Sequence, residues 1–385
     1  MPTPLRRRMR RLGVLFGLAL SSCVPPGSVS RLPPPPWTVP QGAGPAFTAI
    51  RYDQMPGWES DHAGDALLTF LASCAQMRTN PAQALGGSGE AAALGGTAAQ
   101  WTAVCAAAEV VPANDDAAAR KFFEANLQPY GVSADGSAAG LFTAYYEPEV
   151  AGSRIPDATY KYPLYRRPPG LVPGAVLPTR ADIERGALRG KRLELLWLAD
   201  PVDVFFLQVQ GAGRVRLPDG HIVRVTYDGQ NGQPYVPIGR VLVDWHEMTL
   251  DRVSMQSIRG WLAAHPDRAT ELMDQNTSYV FFRELNGYGA DMGPPGTLGA
   301  PLTPMRSIAV DKAFVPLGAP VWIDTKDSLD GKPIQRLMAA QDLGGAIRGP
   351  VRADIFFGWG ADAEAHAGKM RQQGTEVVLL PKQKN

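Results

Sequence analysis

Between about residues 60 and 130 apolar side chains recur three and four apart, and past about 140 that spacing gives way to short aromatic and β-branched runs broken by glycine. The first texture predicts helices over "DHAGDALLTFLASCAQM", "TAAQWTAVCAAAEVV" and "NDDAAARKFFEANL", the last opened by Asn114 as N-cap. The intervening "GGSGEAAALGG" reads as a flexible loop. The second texture predicts strands at "GLFTAYYEPEV", "LELLWLA", "VFFLQVQGAG", "RVRLPDG" and "IVRVTYDG", with Asp219-Gly220 as a hairpin turn between the last two. Helices return in "SMQSIRGWLAAH" and "DRATELMDQN", and strands resume from Tyr279. A helix "ADAEAHAGKMRQQ", stopped by Gly374, and a final strand "TEVVLL" complete an α+β chain that is mainly β.

The N-terminus follows a different pattern. Arg6, Arg7, Arg8, Arg10 and Arg11 precede the apolar run "LGVLFGLAL", too short to span a bilayer as a helix, and "LSSC" follows. Residues 1–22 thus read as a signal peptide, and the small residues Ser21 and Ser22 before Cys23 resemble a bacterial lipobox, in which that cysteine carries the lipid. Residues 23–45, with "VPPGSVSRLPPPPW", read as a proline-rich tether. The expected location is the periplasmic face of the outer membrane, held by a lipid at Cys23. Export leaves Cys74 and Cys105 as an even pair: either one disulfide or two small buried hydrophobes on apolar helices.

The 385 residues suffice for two ordinary domains, and 45% hydrophobic content suffices for real cores. With 38 basic and 37 acidic residues the net charge is +1, so no global field draws in nucleic acid, and none is expected as a partner. Familiar catalytic devices are missing. His246-Glu247 begins like a zinc-protease motif, but Leu250 stands where the second histidine would be, and the other histidines lack ligand spacing, so neither metal nor cofactor is expected. "GGSGEAAALGG" does not complete a dinucleotide fingerprint, GxSxG does not occur, and Lys191 follows no phosphate-binding loop. Acid–base chemistry by a carboxylate remains.

Asp354, in "QDLGGAIRGPVRADIFFGWG", suits that chemistry. Ile355, Phe356, Phe357 and Trp359 would partly desolvate it and favour its neutral form, giving a proton donor near neutrality of the kind that protonates a glycosidic oxygen. Without further context the same aspartate also reads as a turn cap or as the partner of Arg352.

That stretch and five others occur in one order: "FTAYYEP", "FFLQVQGAGRVRLPDG", "YDGQNGQPYVPIGR", "NTSYVFFRE" and "PLTPMRSIAVDKAFVPLGAPV". Together they resemble the membrane-bound lytic murein transglycosylase A family, over roughly residues 140–382, and the last third resembles the module named for three aspartates, here Asp311, Asp342 and Asp354. The resemblance implies a double-psi β-barrel domain built from residues 46–148 and 285–385, a second β domain inserted at 149–284, and a substrate groove between them. It implies cleavage of the β-1,4 bond between N-acetylmuramic acid and N-acetylglucosamine without water, with Asp354 as acid and then base. Asp342 would support it through the backbone N–H groups of Gly344, Gly345 and Ala346 or through its field, and Asp311 would be structural. Gln208 stands where some members of the family have aspartate.

The other motif residues fit glycan binding. Tyr145, Tyr146, Tyr227 and Tyr235 offer aromatic faces, although some of the four are expected in the core; Gln208, Gln210 and Asn231 offer donors and acceptors. Gly211, Gly213 and Gly232 allow close approach to the backbone, and Thr143, Gly344, Gly345, Ala346 and Phe356 are further expected substrate contacts. Peptidoglycan strands, the membrane and cell-wall enzyme complexes are the expected partners. Two alternatives stay open: an inverting pair, Asp342 and Asp354, roughly 6.5–9.5 Å apart with a water between them, and a catalytically silent peptidoglycan-binding lipoprotein.

Overall fold

A computed structural model describes residues 33–172 and 174–383; the expected signal peptide and Cys23 lie outside them. Strand β1 (Pro45–Ala49) leads into a helical layer of α1 (Ala63–Thr79), α2 (Gly89–Gly95), α3 (Thr102–Ala108) and α4 (Asp116–Asn126), then β2 (Leu127–Ala134) and β3 (Gly140–Glu147). The next stretch holds β4 (Glu149–Ser153), β5 (Tyr162–Tyr165), the single turn α5 (Arg180–Asp182), β6 (Glu194–Leu198), α6 (Pro201–Gln210), β7 (Ala212–Arg216) and β8 (Ile222–Gln230). It closes with α7 (Ile238–Asp244), α8 (Met255–Ala264), α9 (Ala269–Asp274) and β9 (Val280–Glu284). The last third adds β10 (Ser307–Val310), β11 (Pro320–Lys326), β12 (Pro333–Leu343), β13 (Arg352–Trp359), α10 (Gly360–Ala367) and β14 (Arg371–Pro381).

These strands form two sheets. In the first, β14, β11, β12, β10, β13 and β3 close into a six-strand ring through the β14–β3 pairing, and β2 and β1 extend it from β14. Two of the ring's pairings, β10–β12 and β13–β3, are parallel, so residues far apart in sequence become neighbours. The second sheet runs β5-β6-β4-β7-β8-β9, and all of its strands lie between Glu149 and Glu284.

The ring core is apolar and packs under the helical layer. Ala63, Leu67, Phe70, Cys74 and Met77 fall on one face of α1 and are buried, each large one worth about 1.5–3 kcal/mol of burial. Cys74 and Cys105 are joined in a disulfide, which ties α1 to α3. Trp37 is buried against the backbone of Gly131 and Pro45 begins β1, so the proline-rich tether ends before residue 45.

Four local expectations are corrected. "VFFLQVQ" is helix α6 rather than strand: the Asp200 carboxylate accepts Val202 N–H at 2.8 Å, Pro201 fills the first turn and Gly211 ends the helix at φ 78°. The loop expected at 86–96 contains α2. The cap of α4 is Asp115, which accepts Ala118 N–H at 2.9 Å, while Asn114 takes a left-handed φ of 60°. Helix α10 ends at Ala367, because the chain from Arg371 is recruited by β3 to close the ring.

Candidate active site

Along β13, Ala353 and Ile355 point into the ring core and are fully buried, so the period of two turns Arg352, Asp354 and Phe356 to the outer face. On β3 the same alternation sends Phe142 inward and Leu141, Thr143 and Tyr145 outward. The parallel register pairs Arg352 with Leu141, Asp354 with Thr143 and Phe356 with Tyr145. A ladder results, with Asp354 on its middle rung.

Asp342 reaches the same face by an irregularity. Strand β10 pairs Ile308 with Ala340 but Ala309 with Asp342, skipping Gln341, and such a bulge re-aims the following side chain. Buried Gln341 holds the skip in place: its Nε2 donates to Thr69 O at 3.0 Å and Ser73 Oγ at 2.9 Å on α1, and its Oε1 accepts the Ser307 hydroxyl at 2.6 Å. Ala309 also pairs with Asp354. The two aspartates therefore flank one strand, their Cα atoms about 9–10 Å apart by interstrand spacing.

Their surroundings differ. Asp354 is half-buried and accepts the Thr143 hydroxyl, which in turn accepts Arg352 Nη2 at 2.9 Å. Burial pushes the Asp354 carboxyl above the usual carboxylate range, opposed by Arg352 and Thr143 and reinforced by the charge of Asp342. Asp342 Oδ1 accepts Thr297 N–H at 2.9 Å, the Thr297 hydroxyl at 2.8 Å and Leu343 N–H at 2.9 Å, and its Oδ2 accepts the Tyr145 hydroxyl at 3.0 Å. Burial raises this carboxyl too, against those four bonds. Among the described residues the expected donors Gly344, Gly345 and Ala346 make no hydrogen bond to it; Leu343 and Thr297 do. Tyr145 stays a phenol, pushed up by burial and by both aspartates.

The segment that carries the second sheet brings one side chain near Asp354. Tyr235, in the loop after β8, lies within Coulombic reach of Asp354 on the ring and of Arg180 on its own side: burial and Asp354 push its phenol up, and Arg180 pulls it down. Arg180 is buried between the Phe205 and Tyr279 rings, and its Nη2 donates to Gln208 Oε1 at 2.6 Å and Ser278 O at 2.8 Å.

Several expected glycan contacts are structural instead. Asn231 is fully buried: its Nδ2 donates to Pro178 O and Thr277 O, and its Oδ1 accepts Tyr279 N–H. Gln208 is buried on Arg180, Tyr146 packs against α10 and Met255, and Phe356 lies beneath the Tyr145 ring at 5.3 Å between centroids. A Cβ on Gly213 would strike Leu207, and one on Gly344 would strike Ile347. Gly232, at φ 75°, sits against Ala175 O. Gln210 Oε1 accepts Tyr146 N–H at 3.0 Å and fastens α6 to β3. Tyr227, Gly345 and Ala346 remain accessible. Asp311 is bound up locally, its carboxylate accepting Ala313 N–H and Gly349 N–H at 3.0 Å each.

Sequence reasoning passed over Arg180 and Glu147. Glu147 is fully buried where the chain leaves the ring for the second sheet, and it accepts Arg214 Nε, Arg224 Nε and Arg224 Nη2 at 2.9–3.0 Å. A signal existed: Arg214 and Arg224 are direct cross-strand partners on β7 and β8, and like charges so placed need a counter-ion.

The described residues define a protein built of a closed six-strand ring and a second β sheet, with two differently surrounded carboxylates on the ring's outer face. Model descriptions of related proteins locate it further: residues 141–283 match the MltA specific insert domain and residues 306–380 match the 3D domain. Membrane-bound lytic murein transglycosylase A of Escherichia coli is 34% identical over 268 residues, spanning 66% of this chain and 71% of that protein. The crystal structure of a membrane-bound lytic murein transglycosylase from Agrobacterium tumefaciens superimposes with a TM-score of 0.78 at 36% identity, covering 87% of this chain and 98% of that one. The Escherichia coli MltA structure with bound chitohexaose gives 0.60 at 32% identity, covering 70% and 79%. The chain belongs to the membrane-bound lytic murein transglycosylase A family.

Proposed function

We propose that the protein is a peptidoglycan lytic transglycosylase in which Asp354 acts alone, first as acid and then as base. Asp354 gives its proton to the glycosidic oxygen as the bond from N-acetylmuramyl C1 breaks, leaving the N-acetylglucosamine hydroxyl. The muramyl C6 oxygen then bonds to C1 while its proton passes to the Asp354 carboxylate. The product is a 1,6-anhydro end, no water is consumed, and the acid is restored. Desolvation keeps the proton available, and Thr143 and Arg352 stabilise the carboxylate once it has left.

The observation that carries this reading is the contrast between the two aspartates. Asp354 has one side-chain donor and an accessible edge, whereas four donors occupy Asp342. A carboxylate so occupied has little capacity left to activate a water, which weighs against the inverting pair and makes Asp342 a fixed negative charge that keeps the Asp354 proton on. Tyr235 and Tyr227 are the side chains we assign to the glycan, and the bound chitohexaose of the Escherichia coli relative supports a saccharide ligand.

The same reading takes the ring as a double-psi barrel of 46–148 and 285–385, the second sheet as an insert of 149–284, and Cys23 as the lipid anchor to the outer membrane. Among the described residues no helix is long and apolar enough to cross a membrane. Digestion of purified sacculi in heavy-oxygen water tests the reaction. Anhydro-muropeptides without label support it; labelled reducing ends identify a hydrolase, and retention on sacculi without release identifies a binder.

A further inference from the structure

The ladder on the ring's outer face does not end at Asp354. One rung away, Arg352 and Leu141 open into a cavity of about 420 Å³, walled on one side by Ser137 and Ala139 and on the other by the 346–351 loop with Arg348. This volume is in the range of small-ligand sites. Two residues of strand rise separate the rungs, about 6.6 Å, a spacing comparable to one saccharide ring. A sugar arm attached beside the scissile bond would therefore enter here.

The cavity is cationic in a chain of almost no net charge. The Arg352 guanidinium is engaged, donating Nη1 to Ala353 O at 2.6 Å and Nη2 to Thr143 at 2.9 Å, and supplies field. Arg348 is different. Its side chain is 72% exposed, and its one ion-pair contact among the described residues is Asp311 Oδ1 at 3.9 Å. Asp311 is itself occupied by the N–H groups of Ala313 and Gly349, so its hold on Arg348 is weak and the guanidinium fork is free to take an anion. The planar fork matches a carboxylate in two-point contact.

We propose that this cavity is a carboxylate-binding subsite for the O3 arm of the muramyl residue, with Arg348 as the residue that discriminates substrates bearing that charge. The inference rests on the proposed transglycosylase reading for its substrate class. Two sources carry the chemistry: the stem peptide, or the free lactyl group of a peptide-stripped strand.

Binding titrations at fixed ionic strength separate them, using Asp354→Asn protein with and without Arg348→Gln so that strands stay intact. The ligands are peptide-bearing strands, amidase-stripped strands with the free lactyl carboxylate, and N-acetylglucosamine hexamer, which has neither. Loss of the charge-assisted contact should weaken binding about tenfold relative to the hexamer, with partial recovery in Arg348→Lys. Weakening confined to peptide-bearing strands assigns the stem peptide, and weakening confined to stripped strands assigns the lactyl group. Equal effects on all three ligands, or none, overturn the subsite. No turnover is needed, so a wild-type protein that released no anhydro-product would refute the transglycosylase reading while leaving this result to stand or fall by itself.

Discussion

Replacing Glu147 by glutamine should unfold the junction between the two sheets at markedly lower denaturant. The Glu147 carboxylate is fully buried and accepts three charge-assisted bonds from Arg214 and Arg224, whose side chains are themselves 8% and 6% exposed. Arg214 is further committed by the Trp359 ring, 4.4 Å from its guanidinium carbon. Glutamine keeps one acceptor oxygen but turns an amide donor toward guanidinium donors and leaves two buried cations without a counter-charge. Breaking a buried pair in this way costs about 3–5 kcal/mol. With a urea slope near 3 kcal/mol/M, the midpoint followed by tryptophan fluorescence should fall by roughly 1–1.7 M. Replacing the whole triad with apolar residues of similar volume (Glu147→Leu, Arg214→Met, Arg224→Met) should recover most of the loss. A Glu147→Gln change below about 1 kcal/mol would refute the claim that the triad fastens the crossover.

Three further outcomes follow. Cys105→Ser removes a cross-link between residues 31 apart and should cost about 3–4 kcal/mol against oxidised wild type; equal stability would refute it. Glu376 is fully buried, and burial pushes its carboxyl up to about 8 against a weak opposing contact from the Arg352 backbone. Its folded pKa lies above its unfolded value, so the fold loses stability as pH rises from about 4.5 to about 8. Glu376→Gln should flatten that slope and add about 3 kcal/mol at pH 7; a flat wild-type profile would refute it. The protonated form of Asp354 is lost as pH rises through its raised pKa, so kcat/KM should fall on the basic side. Thr143→Val, which removes a donor to the carboxylate, should move that limb to higher pH; a limb that stayed in place would refute the role given to Thr143.

What could be read in the sequence was the chemistry that lies within short stretches. The apolar setting of Asp354 is contiguous, as are the helical spacing of α1 and the Asp219-Gly220 turn, where β7 pairs with β8. Helix α6 was misread because Phe205, Phe206 and Leu207 look like a buried strand, although the cap Asp200-Pro201 and the stop Gly211 were both visible. Asn231 shows the limit of composition: a buried amide serving backbone groups and an exposed one serving a sugar are the same letter. The convergence of Asp342 and Asp354 on Ala309 depends on the register skip at Gln341 and on ring closure by β14. Those are long-range pairings with no local signature.

The most direct test of the single-acid account compares wild-type and Asp354→Asn protein on purified sacculi, with released fragments weighed by mass spectrometry and glycan retention measured alongside. The account predicts anhydro-muropeptides from the wild type, and from Asp354→Asn undiminished retention with release reduced by at least about a hundredfold. Release by Asp354→Asn at a rate near that of the wild type would contradict it.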